Sequence, residues 1–315
     1  MSALVTGGAG FIGSHLVDSL ICKGFHVRVV DNLSSGKIAN IERWLSDEHF
    51  EFVEGDLKDQ SICSKSVEGV EVVFHLAANP DVRLGEIDPS THFRENLFAT
   101  YNVLEAMRRS ENAERIVFAS TSTIYGEADV FPTPEDYGPL LPISIYGAAK
   151  LGCEALISSY AHTFGFSGVL LRFANVVGAR MEHGVIVDFV KKLEQNPSVL
   201  EILGDGKQKK SYLHVKDLVD AFFAVLPCLE RAGRVEAFNA GSLDWVDVKR
   251  IAEIVCEEMG IKPEFRFNNA LGDGRGWKGD VRTMRLSVER LVELGWKPKL
   301  NSEDAVRQSC RELLQ

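Results

Sequence analysis

The stretch from Ala3 to Lys23 limits the fold of this chain more than any other. Ala3-Leu-Val-Thr6 is a short apolar run of strand character, and Gly7-Gly8-Ala9-Gly10-Phe11-Ile12-Gly13 follows at once. Apolar residues then recur at helical spacing through Ile12, Leu16 and Leu20. Gly8, Gly10 and Gly13 satisfy G-x-G-x-x-G, and Gly7, Gly10 and Gly13 satisfy the variant G-x-x-G-x-x-G. Glycine suits such a loop for three reasons. The turn is tight, a pyrophosphate must approach backbone N–H groups, and helix must pack close on strand. A glycine pattern alone is weak evidence, but here the strand before it and the helix after it are both present.

The next strand, His26-Val-Arg-Val-Val30, ends in Asp31. An acid at that point can accept hydrogen bonds from the ribose hydroxyls of a dinucleotide and repels a 2′-phosphate, which favours NAD over NADP. Two more strands follow, Phe50–Val53 leading to Gly55-Asp56-Leu57, and Val70–His75 leading to Leu76-Ala77-Ala78. Small residues after the fourth strand let a cofactor lie across the strand ends. Asp56 could reach an adenine amino group or serve equally well as a helix N-cap. Asn96–Arg109 reads as a helix with Leu97, Tyr101, Leu104 and Met107 on its apolar side, and Arg115–Ala119 as a buried strand with Ser120-Thr121-Ser122-Thr123 at its exit. Strands alternating with helices predict an α/β fold with right-handed parallel crossovers, a Rossmann-type doubly wound sheet. A smaller α/β substrate-binding domain is expected after it. The predicted division is 1–173 for the dinucleotide-binding domain, with a return near 209–238, and 174–315 mainly for substrate.

A chain of 315 residues can bury a large core and divide into two lobes. Its 35 basic and 45 acidic residues give a net charge of −10, which argues against nucleic acid or an anionic membrane as the main partner. No apolar stretch is long enough to span a bilayer. Strand-like sequence beginning at Ala3 leaves no room for a signal peptide. The six cysteines are scattered, with no C-x-x-C pair and no clustered histidines. Reduced structural thiols, no metal site and a cytoplasmic location are therefore expected.

Pro142-Ile-Ser-Ile-Tyr146-Gly-Ala-Ala-Lys150 places a tyrosine and a lysine one helical turn apart on one face. A free phenol ionises near pH ~10 and is a poor base at neutral pH. A neighbouring ammonium favours the phenolate and moves such a pKa by roughly 1–3 units. Tyr146 could then exchange a proton with a sugar hydroxyl near neutral pH. An isolated Y-x-x-x-K is more often an ordinary surface helix, so the rest of the chain decides.

Together these pieces resemble the extended short-chain dehydrogenase/reductase family, and within it the UDP-glucose 4-epimerase group. The matching segments are Thr6–Ser14, Asp31-Asn-Leu-Ser-Ser-Gly36, Gly55-Asp-Leu57, His75-Leu-Ala-Ala78, Asn96 with Thr100, Ser120–Gly126, and Tyr146 with Lys150. The second half adds Arg172-Phe-Ala-Asn-Val-Val-Gly178, Gly204-Asp-Gly206 and Tyr212-Leu-His-Val215. The resemblance implies Tyr146 as acid/base, Lys150 as the group that lowers its pKa and binds the nicotinamide ribose, and Thr121 as the hydroxyl shared with the sugar O4. It implies NAD contacts from Gly7, Gly10, Phe11, Ile12, Gly13, Asp31, Asn32, Ser35, Gly36, Asp56, Leu57, Leu76, Ala77, Ala78, Asn96 and Ser120, besides Tyr146 and Lys150. Tyr125 is expected to pack on the cofactor side without doing chemistry. The reaction implied interconverts UDP-galactose and UDP-glucose. C4 is oxidised, the 4-keto hexose turns over while the nucleotide stays anchored, and the hydride returns to the opposite face.

For the UDP-sugar, the resemblance implies contacts from Thr121, Ser122, Tyr146, Asn175, Lys210, Arg275 and Asp280. Two positions depart from the family. Lys210 stands where a diphosphate-binding arginine is usual, and lysine lacks the bidentate fork. The family's Arg-Pro-Gly-Asp is here Trp277-Lys278-Gly279-Asp280, with Arg275 two residues earlier as a substitute. Dehydratases of this scaffold place Asp-Glu directly after the catalytic Thr, and decarboxylases place a glutamate in the same loop. Ser122-Thr123 stands there instead, which disfavours both. A 4-epimerase of a UDP-uronate or UDP-N-acetylhexosamine is the nearest alternative, ahead of an NAD-sensing regulator, which could do without the Tyr/Lys pair. A homodimer is expected, pairing through the helices of Asn96–Arg109 and Tyr146.

Overall fold

The computed structural model describes residues 1–315, which pack into two compact units. The first comprises Met1–Thr121, Ile145–Arg172 and Phe222–Phe238. Its centre is a seven-stranded sheet of β1 (Ser2–Thr6), β2 (His26–Asp31), β3 (Phe50–Glu54), β4 (Val72–His75), β5 (Arg115–Thr121), β6 (Ser167–Phe173) and β11 (Val235–Ala240). The order is β11-β6-β5-β4-β1-β2-β3, and β3, β2, β1, β4 and β5 run parallel. The order reverses between β1 and β4, and the crevice at such a reversal is where doubly wound sheets bind ligands.

Central strands buried on both faces need continuous apolar runs, and β1 and β4 supply them in Ala3-Leu-Val and Val72-Val-Phe74. Helices α1 (Phe11–Cys22), α2 (Gln60–Val67), α3 (Ala99–Arg109) and α4 (Ile145–Phe164) connect and cover the strands. Leu4, Val73, Ile116 and Phe118 of the sheet pack in one core with Leu104 and Met107 of α3 and Ile157 of α4. The returning segment joins the same unit through Phe222, edge-on to Phe74 at 6.1 Å, and Phe223, edge-on to Phe25 at 6.5 Å.

The second unit comprises Ser122–Ser144, Phe173–Ala221 and Asn239–Gln315. Three small sheets form it: β7 (Asn175–Val177) with β10 (Tyr212–His214), β8 (Val199–Leu203) with β13 (Glu264–Asn268), and β9 (Lys209–Lys210) between β12 (Val246–Asp247) and β14 (Thr283–Met284). Its helix Val248–Met259 is capped by Asp247, which accepts from Arg250 N, and ends at Gly260 in the left-handed conformation. By packing, residues 122–144 belong with this unit, and the chain re-enters the first unit at Phe222.

Local readings needed adjustment in two places. The helix N-cap before α2 is Asp59, which accepts from Ser61 N, and Asp56 instead turns back on Lys58 N and binds Asn32. The helix expected from Asn96 starts within a π-helical segment, Phe93–Phe98, with α3 proper beginning at Ala99. Such segments frequently mark functional sites. The π turn leaves Asn96 bonded in both directions to Asn79, accepting from its N–H at 2.7 Å and donating to its carbonyl at 3.2 Å. No helix is long and apolar enough to cross a membrane, and none of the six cysteines forms a disulfide.

Candidate active site

The glycine loop has the shape that a pyrophosphate requires. A Cβ on Gly13 would stand 2.2 Å from the Gly7 carbonyl oxygen, and one on Gly7 would stand 2.9 Å from the Ala77 backbone. Loop, helix and the β4 exit are therefore in backbone contact, and Gly7 adopts φ +69°, a region costly for any side chain. Gly10 caps α1 without a side-chain hydrogen bond, so the first-turn N–H groups of Phe11 and Ile12 are offered to an anion at the positive end of the helix.

Asp31 lies at the end of β2 beside this loop. Its carboxylate accepts from Ala9 N at 3.0 Å and Leu33 N at 2.9 Å, and a Cβ on Gly36 would stand 2.8 Å from it. Burial raises its pKa while the two N–H groups oppose the rise. Asn32 binds Asp56 at 3.2 Å, and Ser35 is exposed beside buried Gly36. Leu57 is buried and its carbonyl accepts from Asn102 at 2.9 Å. Leu76 and Ala77 both donate their N–H to Thr6 Oγ1 at 3.1 Å, and Ala78 precedes the Asn79 that Asn96 fastens. Uncapped helix N–H groups, a glycine cradle that any Cβ would fill and an adjacent buried acid fit NAD.

At the exits of β4 and β5 the same unit gathers Thr121, Tyr146 and Lys150. The Tyr146 hydroxyl shares a hydrogen bond with Thr121, and its ring meets His92 edge-on at 5.5 Å. Lys150 is 2% exposed, with its ammonium 4.0 Å from the centroid of the Phe118 ring. The expected lowering of the phenol pKa is not what the protein alone produces. Tyr146 keeps some exposed surface, yet protein crowded around its hydroxyl pushes the pKa above the ordinary value, and the Thr121 hydrogen bond only partly opposes this. Burial also pushes Lys150 down, to about 8, against the influence of Cys153 and Glu154. Tyr146 thus rests as a neutral phenol in the protein alone and must ionise before it can take a proton.

The second unit holds the other sequence-identified residues. Lys210 donates to Asp280 Oδ1 at 2.5 Å, and Asp280 is 2% exposed. Its other oxygen accepts from Gly276 N at 3.1 Å. Arg275 donates to the Asp280 carbonyl at 2.6 Å, to Glu127 at 2.5 Å and to Asp273 at 2.9 Å. The Lys210 ammonium stands 5.4 Å from the Trp277 ring centroid, and the Trp277 indole N–H is buried without an acceptor. Asn175 shares a hydrogen bond with the Tyr212 hydroxyl, and Tyr125 donates to Asn239 at 2.8 Å. Ser122 is buried at the start of a 3-10 turn, Ser122–Tyr125.

Several residues shape these sites without having been assigned a role. Thr6 and His75 meet at the strand reversal, at 2.7 Å. Glu154 is buried with Arg172 and Ser120 behind Lys150 in sequence, at 2.5–3.0 Å. Glu154 had a visible signal, since a carboxylate eight residues after Tyr146 falls on the same helical face.

The chain is similar to known proteins along its whole length. The sequence profile of the NAD dependent epimerase/dehydratase family matches residues 3–241. A putative UDP-glucose 4-epimerase of Methanocaldococcus jannaschii is 34% identical over 311 residues, covering 97% of this chain and 96% of its own. A crystal structure of a UDP-galactose 4-epimerase superposes with a TM-score of 0.88 at 46% identity, covering 100% and 99% of the two chains. A Thermus thermophilus UDP-glucose 4-epimerase in complex with NAD gives a TM-score of 0.86 at 31% identity over 100% and 99%. With the glycine cradle, the strand order and these full-length matches in agreement, the chain belongs to the NAD dependent epimerase/dehydratase family.

Proposed function

We propose that the protein interconverts UDP-galactose and UDP-glucose by oxidising and re-reducing C4 of the hexose. The observation that carries this reading is the Tyr146 hydroxyl, bonded to Thr121 and one helical turn from a buried Lys150. NAD, when bound, accepts the C4 hydride and returns it, and its oxidised ring adds a positive charge to the site. Once its phenol has ionised beside the Lys150 ammonium, Tyr146 O takes the proton that the C4 hydroxyl loses and gives it back after the hexose has turned. Thr121 orients that hydroxyl and can pass hydrogen-bond character between the sugar O4 and the phenol. Lys150 binds the nicotinamide ribose and, as an ammonium, stabilises the negative charge that develops on Tyr146 O. The neutral resting phenol suits the second half of the cycle, in which a proton must be donated.

In this reading Lys210 and Asp280, with Asn175 and Arg275, anchor the nucleotide diphosphate and ribose while the hexose moves, and Ser122 contacts the sugar. The Lys210–Asp280 pair supports an anchoring role, because it presents a partly buried ammonium beside an unpartnered indole N–H. Asp31 selects NAD over NADP. A homodimer is part of the same proposal, with exposed Phe93, Phe98, Tyr101 and Ile145 giving an apolar face on the helices concerned. A monomeric mass in solution would count against it.

Related structures include 4-epimerases of UDP-N-acetylglucosamine and UDP-glucuronic acid, at 28% and 26% identity. A panel of UDP-galactose, UDP-glucose, UDP-N-acetylglucosamine and UDP-glucuronate, assayed by product separation without added reductant, tests the choice. Fastest turnover on UDP-galactose and UDP-glucose is expected. Preference for an acetamido or uronate sugar would replace the substrate assignment and keep the chemistry.

A further inference from the structure

Glu154 follows Lys150 by one turn of α4, so Tyr146, Lys150 and Glu154 share a helical face. The residue is 4% exposed and its carboxylate is held by three donors. Arg172 Nε reaches one carboxylate oxygen at 3.0 Å and Nη2 the other at 2.7 Å, while Ser120 Oγ donates at 2.5 Å. Arg172 comes from β6 and Ser120 from the end of β5, next to the Thr121 that bonds Tyr146. One carboxylate therefore ties the helix carrying Tyr146 and Lys150 to the strand carrying Thr121.

Removing two charges from water is costly, and a well-packed apolar pair of similar volume often stabilises a fold as much or more. Stability alone does not account for a charged pair at this point. The groups facing Lys150 narrow what it does. From β5 comes the Phe118 ring, from β4 the His75 imidazole, and from α4 Cys153 and Glu154. Burial keeps His75 neutral, and raises the pKa of Cys153 so that it stays a thiol. Glu154 is then the one formal negative charge in this set, and Arg172 fixes where that charge sits.

We propose that Glu154 is a positioning residue for the reaction, whose Arg172-locked carboxylate fixes α4 against the β5 exit and supplies the counter-charge that keeps Lys150 an ammonium. The proposal rests on the role given to Lys150 above. Burial brings Lys150 down to about 8 against the influence of Cys153 and then Glu154, and with Cys153 a neutral thiol, loss of the Glu154 charge carries Lys150 lower still.

The test is the pH dependence of turnover and of NAD affinity in Glu154→Gln and in the double variant Glu154→Met/Arg172→Met, with the thermal midpoint recorded for each. The double variant removes both buried charges and so keeps the protein folded should the single variant not be. The alkaline limb of kcat is expected to move to lower pH by about one unit. At pH 8 that shift lowers kcat roughly fivefold, from the fall in protonated Lys150, while KM for the UDP-sugar stays within about twofold. Glu154→Asp should restore part of the limb. An unmoved limb in both variants, with only a lower thermal midpoint, overturns the proposal. Lys150→Met run in parallel separates the two layers. An inactive Lys150→Met beside an unmoved Glu154→Gln limb sinks the proposal alone, and wild-type turnover in Lys150→Met sinks the underlying reading with it.

Discussion

The Thr6 hydroxyl and the His75 Nδ1 lie 2.7 Å apart at the C-terminal ends of β1 and β4, the two strands between which the sheet order reverses. Thr6 Oγ1 already accepts from the N–H groups of Leu76 and Ala77, so its single proton goes to His75 Nδ1. The ring proton must then sit on Nε2 and point to Thr100 Oγ1 at 2.9 Å, and Thr100 donates onward to the Asn96 carbonyl at 2.7 Å. A neutral imidazole satisfies every partner. A second ring proton would face the Thr6 O–H, donor against donor. This chain fixes the strand-end backbone on which the dinucleotide would lie.

Burial, with Lys150 nearby, lowers the His75 pKa to about 3 from an ordinary 6.5. Between those values the unfolded chain binds a proton that the folded protein does not, so His75 makes stability fall as pH drops through 6.5 toward 3. Replacing His75 by Gln should lower stability at neutral pH and flatten its dependence on pH. Urea denaturation at a series of acid pH values measures both, and equal slopes for the two proteins would remove His75 from the account.

Asp31 takes two backbone N–H groups and backs onto Gly36. Asp31→Ala removes those bonds together with the ribose acceptor proposed above. NAD affinity should fall on the order of tenfold or more, and discrimination against NADP should narrow. Titration with both dinucleotides reads this, and unchanged selectivity would move the ribose contact elsewhere.

What the sequence made legible was short in range. The glycine loop, the acid after β2 and the Tyr146–Lys150 spacing each depend on a few consecutive residues, and each lies on the kind of element expected for it. Asp56 was harder to read, because a cofactor contact and a helix cap both suited it, and the cap falls to Asp59 on backbone geometry. The Lys210–Asp280 pair joins residues seventy positions apart, which no local pattern reveals. The raised Tyr146 pKa depends on how densely the tertiary structure packs around one hydroxyl, whereas the spacing showed only the cation one turn away.

Tyr146→Phe keeps the ring and its edge contact with His92 and deletes the hydroxyl. Turnover should fall at least ~10²-fold with NAD binding retained. Stopped-flow or discontinuous assay on NAD-loaded protein checks this, and near wild-type turnover would assign proton transfer to another group.

Lys210→Met leaves the Asp280 carboxylate buried without its cation, at a cost of about 3–5 kcal/mol if the pair behaves as a fully buried one. Partial exposure of Lys210 brings the expected loss below that range. Calorimetry should show UDP binding weakened far more than uridine binding. Equal loss for both ligands would mean that Lys210 supports the fold and does not meet the diphosphate.

The most direct test follows the hydrogen on C4. UDP-galactose carrying deuterium at C4 is converted in ordinary water, and the product is analysed by mass spectrometry and NMR. The account predicts UDP-glucose with the label still on C4, now on the opposite face. Loss of the label to solvent, or its appearance at another carbon, would contradict oxidation and re-reduction at that centre.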